Sequence, residues 1–185
     1  MQHPNILELS RSALLIIDMQ EAFRASIKDF DKFVQRIVVV TKGAQLLKLP
    51  IVVTEQYPKG LGHTAAEIAE VLPADVALLE KTTFSSCGAQ HFTDKLPQTN
   101  IKHVVVCGIE AHICVNQTVH DLLAAGYQVH LLNDCITSRN KTDRKAALAK
   151  MLASGAISSS VEMALFELMR DAKHEQFKAI QGLIK

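Results

Sequence analysis

The chain has 185 residues, 48% of them hydrophobic and 5% aromatic, enough for one sizeable core and short for two domains. Its 20 basic and 19 acidic residues leave a formal net charge of +1, so neither nucleic acid nor a membrane surface is expected as a partner. No apolar run reaches membrane-spanning length, and the first residues form neither a secretory apolar region nor an arginine-rich transit pattern; a cytoplasmic protein is expected, with mitochondrial import left open.

Short apolar, β-rich runs alternate with longer helical patterns along the chain, which is the arrangement of a parallel sheet covered on both faces. The first run, residues 13–18, ends in Asp18, and residues 30–47 follow as a helix with Phe33, Val34, Ile37 and Val38 toward the core. A second run spans 51–54, and a third, 76–80, leads into Lys81. The fourth, 103–108, ends in Gly108 and is followed by a helix over 115–125, with Val115, Thr118, Val119 and Leu122 on one stripe and Gly126 just past its end. A fifth run at 128–132, a helix over 139–154 closed by Gly155, a weaker strand at 156–159, and helices at 161–171 and 175–183 complete the chain. The densest basic stretch, 139–145, reads as the start of a solvated helix. No repeat, low-complexity tract or linker interrupts the pattern, so residues 1–185 are expected to form a single three-layer α/β/α domain, Rossmann-like in plan.

In such sheets ligands bind beyond the carboxyl ends of the strands, which makes every polar residue just past a strand a candidate. Three stand out: Asp18 after the first run, Lys81 after the third, and Cys114 shortly after the fourth. The four cysteines, at 87, 107, 114 and 135, form no Cys-x-x-Cys pair and no zinc-knuckle spacing, which points to a reducing compartment. Cys114 differs from the others in opening a helix. Free amides and the dipole of a first helical turn favour a thiolate, which lowers the expected pKa of this thiol and supplies donors for an oxyanion. Taken singly, each residue has an ordinary explanation: a buried inert cysteine, an acid capping a turn, a solvated lysine.

Together these residues carry a resemblance. Asp18-Met19-Gln20-Glu21-Ala22-Phe23 resembles the Asp-x-Gln-x-x-Phe motif of the isochorismatase-like cysteine hydrolases, a superfamily that includes nicotinamidases and carbamoylases. Lys81-Thr82-Thr83-Phe84-Ser85 is similar to the lysine segment of that superfamily, and the run from Gly108 through Glu110 and His112 to Val115 resembles its nucleophile motif. The match extends from about Arg11 to Asp171 and is closer still to the isochorismatase domain-containing subgroup, through Thr54 to Gly62 and Cys107 to Ala111.

The resemblance implies a six-stranded parallel sheet in the order 3-2-1-4-5-6. In that order Asp18 and Cys114 follow adjacent strands about 5 Å apart, with Lys81 about 10 Å from the first strand. It also implies a mechanism: Cys114 attacks an sp² carbon of a small amide or imide-like substrate, Asp18 moves the proton, and Lys81 holds the carboxylate ionised. A covalent intermediate is then hydrolysed. The backbone amides of Glu110 and Cys114 would form the oxyanion hole, with a cis peptide between Ile109 and Glu110. Phe23, Gln56, Tyr57, Phe84 and His112 are expected to line a small, partly apolar pocket. His112 is a competing base, but two residues from Cys114 on a helix it would face another direction.

Nicotinamidases of the superfamily carry an Asp-x-His metal pair after the second strand; here the segment reads Gln56-Tyr57-Pro58, so no metal and no other cofactor is expected. Isochorismate is disfavoured as substrate, because hydrolysis of a vinyl ether does not require a thiol. Two other classes remain open: an inactive protein-binding scaffold on the same fold and, third, a nucleic-acid processing protein. The apolar helix at 161–169 has more hydrophobic surface than one face needs, which predicts a homo-oligomer.

Overall fold

A computed structural model describes residues 3–76, 78–96 and 100–185. Its sheet has six parallel strands, β1 (Ser12–Ile17), β2 (Ile51–Gln56), β3 (Leu78–Lys81), β4 (His103–Gly108), β5 (Gln128–Ile136) and β6 (Ile157–Ser159), in the order β3-β2-β1-β4-β5-β6. The helices are α1 (Phe30–Leu46), α2 (Pro58–Leu61), α3 (Ala66–Ala69), α4 (Phe92–Lys95), α5 (Asn116–Ala124), α6 (Lys141–Ala153), α7 (Val161–Met169) and α8 (Phe177–Ile184).

Strand β1 lies at the centre and is buried along its whole length. Because a strand turns alternate side chains to opposite faces, Leu14 and Ile16 enter one core, with Val34, Ile37 and Val40 of α1, Leu165 of α7 and Ile180 of α8. Ala13, Leu15 and Ile17 enter the other, with Val119 and Leu122 of α5 and Met151 of α6. This double coverage is why the strands read as continuous apolar runs and why the sheet is parallel.

The departures from expectation have local causes. Strand β5 runs four residues past the expected end, to Ile136, because Asn133 and Asp134 interrupt its apolar pattern without ending its pairing. There the register with β4 shifts, Val106 opposing Leu131 and Gly108 opposing Ile136. Arg139 precedes α6 instead of belonging to it. The third strand begins at Leu78; Ala77, inside the expected 76–80 run, lies outside the described residues. The expected helix at 115–125 is preceded by a π-helical turn, Ala111–Val115, so Cys114 sits inside that turn and not at the start of α5.

Candidate active site

Strand β1 ends at Ile17, and Asp18 turns into the left-handed region (φ 52°) at the carboxyl edge of the sheet. Its Oδ1 accepts a hydrogen bond from Thr54 Oγ1 of β2 at 2.8 Å, and its Oδ2 one from Lys81 Nζ at 2.7 Å. Lys81 is the last residue of β3, two strands away; the length of its side chain spans the gap across β2. Its ammonium also donates to Gln56 Oε1 at 2.7 Å and to the carbonyls of Phe84 and Thr83 at 3.1 and 3.3 Å. Four oxygens therefore surround a group with three donors, inside a side chain that is 0% exposed. Lys81 can bind nothing further without surrendering a partner, so its influence on the site is electrostatic and positional.

Gly108 ends β4 at φ 120°, and a Cβ there would lie 2.1 Å from the Ile17 carbonyl oxygen. Only glycine permits β4 to run this close to β1. The next peptide bond, Ile109-Glu110, is cis. Among the described residues the Glu110 N–H meets no acceptor, whereas its carbonyl accepts from Ile113 and Val115. The Glu110 carboxylate is buried and takes hydrogen bonds from the Arg139 backbone N–H and Nε, both at 3.0 Å. Arg139 thus anchors the loop that carries Cys114.

Cys114 lies beside Asp18 and Lys81, and its thiol is pushed up to about 12, first by burial and then by the Asp18 charge, with Lys81 opposing. Burial also raises the Asp18 carboxyl, against the pull of Lys81 and Thr54. The expectation of a thiol made acidic by a helix start is therefore corrected. Cys114 lies within the π turn, out of water and against a carboxylate, both of which favour the neutral thiol over the thiolate. Cys87, Cys107 and Cys135 are raised as well, burial being the largest cause in each.

A cavity of about 230 Å³ opens over Asp18 and Cys114. Phe23, Gln56 and Phe84 line it as expected, together with Leu61, Ile113 and Arg139, which sequence reasoning missed. Tyr57 and His112 do not. Tyr57, with φ 37°, begins the turn into Pro58; its ring packs over Gly60 and is 54% exposed, facing a separate surface cleft. His112 is held by Ser138, Nδ1 to Oγ at 3.1 Å, over a shallow cleft beside Asn116 and Asp143. Gln56 serves a double part, since its side chain also fixes Lys81 and donates to the Thr82 carbonyl. Thr54 and Gln20, the latter clamping both Gln56 and the Gly62 carbonyl, are supports that no motif had singled out for these partners.

Among the described residues, no three His, Cys, Asp or Glu side chains converge as a metal site. His63 instead contacts the buried Glu55 carboxylate at 3.0 Å, which also takes the Thr64 N–H and so pins the loop after α2.

The isochorismatase domain model matches residues 12–163, which includes every residue of this arrangement. The chain belongs to the isochorismatase family. Within the family it is 44% identical over 175 residues to human isochorismatase domain-containing protein 2, an alignment covering 94% of this chain and 83% of that protein. A solved structure described as MAR1 ribonuclease from Caenorhabditis elegans superposes with a TM-score of 0.92 at 38% identity, covering 97% of this chain and 92% of the other. The YcaC product of Escherichia coli, described as an octameric hydrolase of unknown specificity, shares the fold with a TM-score of 0.90 at 20% identity, over 100% and 91% of the two chains. The fold of this chain is thus that of the isochorismatase family.

Proposed function

We propose that residues 1–185 form one cysteine-dependent hydrolase domain acting on a small amide or imide-like carbon–nitrogen bond. The observation that carries this reading is the Asp18 carboxylate, buried between the Lys81 ammonium and the Cys114 thiol at the wall of the cavity. As the sulfur attacks the substrate carbon, its proton passes to Asp18 and the carbonyl electron pair moves onto oxygen, toward the Glu110 N–H and the Cys114 amide. Collapse breaks the C–N bond, the leaving nitrogen takes the proton from Asp18, and a thioester-like intermediate remains. Water then attacks, losing its proton to Asp18; expulsion of sulfur returns that proton to Cys114. Lys81 takes no part in these proton transfers.

The cavity, below the roughly 300 Å³ typical of drug-sized ligands, suits a compact substrate with apolar surface against Phe23, Leu61, Phe84 and Ile113. The four cysteines are free thiols, in keeping with a cytoplasmic setting, and no helix among the described residues is long and apolar enough to cross a membrane. Met163 and Phe166 of α7 are exposed at 50% and 38%, which supports a homo-oligomer.

The test is ammonia release from a panel of small amides by the unaltered protein, Cys114→Ala and Asp18→Asn. Turnover lost in both variants supports the triad, and full activity in Cys114→Ala would sink it. A second reading, nucleic-acid processing, is favoured by the name of the C. elegans structure. Cleavage of single-stranded RNA that survives Cys114→Ala would favour it over the first.

A further inference from the structure

Next to the triad cavity lies a larger cleft of about 810 Å³, walled on one side by the start of α1 and on the other by the turn from β5 into α6. The two spaces share Arg139. Six cations line the larger one, Lys28, Lys32, Arg36, Arg139, Lys141 and Arg144, against the carboxylates of Asp29 and Asp134. On a chain of net charge +1 this is a strong local concentration.

Only part of that charge is compensated within the protein. Arg36 pairs with Asp134 at 2.6 Å, and Arg139 with Glu110. Arg144 donates to the carbonyls of Ile136 and Asn133, at 2.7 and 2.5 Å, which positions its guanidinium without neutralising it. Lys28, Lys32 and Lys141 have no acidic partner among the described residues. Thr137 adds a hydroxyl to the wall of the cleft. Guanidinium groups held in place, with a hydroxyl and exposed ammonium groups around them, make a setting for an oxyanion.

We propose that this cleft binds a phosphate or carboxylate group, and that the substrate of the adjoining triad is a small amide bearing such a group. The second half rests on the reading of Cys114 as nucleophile; the first does not. A polynucleotide is the weaker occupant. The cleft is a bounded pocket whose one aromatic wall residue is Phe33, without the row of stacking rings that single strands use.

The experiment is calorimetric titration of the full chain with pyrophosphate and, separately, citrate, using the unaltered protein, Cys114→Ala, and the double variant Lys32→Gln/Lys141→Gln. Saturable binding in the first two, weakened about tenfold or more in the double variant, is expected. The same variant should lower kcat/KM for anionic amides at least tenfold relative to neutral ones. Titrations showing no saturable binding of either anion, or binding indifferent to the double variant, overturn the cleft assignment, whatever the triad does. Anion binding without turnover of any amide removes the triad reading and the substrate half of the proposal, while the oxyanion site stands. RNA that displaces pyrophosphate with an affinity rising with strand length overturns the small-molecule occupant.

Discussion

Breaking the Asp18–Lys81 pair is the sharpest perturbation of the site. The two side chains are 1% and 0% exposed and 2.7 Å apart. At an effective dielectric of 20 their attraction is about 6 kcal/mol, largely offset by the cost of taking both out of water. Removing one partner leaves that cost uncompensated. Lys81→Met strands a buried carboxylate and three oxygen acceptors, those of Gln56, Thr83 and Phe84, and is expected to destabilise by about 3 to 5 kcal/mol. Asp18→Asn leaves the ammonium its other oxygens and should cost less, about 2 kcal/mol. With both changes no buried charge remains, so the double variant should be more stable than the summed singles by about 2 to 3 kcal/mol. Urea unfolding of the four proteins at matched concentration measures this coupling. Additivity within about 0.5 kcal/mol would show that the pair carries no mutual dependence and would refute the argument.

The Cys114 thiol in Asp18→Asn should titrate below its position in the unaltered protein, because the variant removes the carboxylate charge and keeps Lys81 beside the sulfur. Thiolate absorbance followed against pH checks this; an unchanged or higher midpoint contradicts it, while turnover should fall by about a hundredfold or more for want of a proton carrier. His103 and His130 are a buried contact pair, Nδ1 to Nε2 at 3.3 Å, and burial lowers both, His130 to about 4. A histidine depressed in the fold binds its proton first in the unfolded chain. Stability is therefore full above about pH 6.5 and declines as pH falls toward 4, by up to about 3 kcal/mol for His130. Chemical unfolding at pH 7 and pH 5 should show the loss, and His130→Leu should flatten it. Gly108→Ala, which drives a Cβ to 2.1 Å from the Ile17 oxygen at a left-handed φ, should cost about 3 kcal/mol or more; a thermal midpoint near the original would count against the close approach of β4 to β1.

Strand positions were legible because buried parallel strands are apolar on both faces, and β1 and β4 are buried at every residue. The strand order came from the resemblance, since period and composition do not say which strand neighbours which. The extension of β5 was illegible because its polar residues serve tertiary partners: Asp134 binds Arg36 and the first N–H of α7. At the site, motif spacing located Asp18, Lys81 and Cys114 at one sheet edge. It could not show that Gln56 faces Lys81, or that Arg139 leaves its helix to hold Glu110, because both contacts join segments remote in sequence. Tyr57 and His112, expected at the pocket, face elsewhere because a left-handed turn redirects Tyr57 and Ser138 holds the His112 ring.

On the mechanism proposed above, the raised thiol decides when the proton can leave sulfur. A Cys114 thiolate beside an Asp18 carboxylate would set two negative charges against the single Lys81 ammonium in a buried site. Charge on sulfur is therefore unfavourable until an electrophilic carbon is in place, when the sulfur pair forms the S–C bond and the carbonyl π pair moves onto the oxygen, toward the Glu110 N–H. Deprotonation is thus coupled to substrate occupancy, with the proton needing only to reach the adjoining Asp18. Such a thiol is poorly reactive toward oxidants, which attack thiolates, yet reactive toward a correctly seated carbonyl. It follows that peroxide should oxidise Cys114 slowly in the unaltered protein and faster in Asp18→Asn, where Lys81 is left to stabilise the thiolate alone; mass spectrometry of the Cys114 peptide reads the ratio, and the reverse order would mean that the resting sulfur is already ionised.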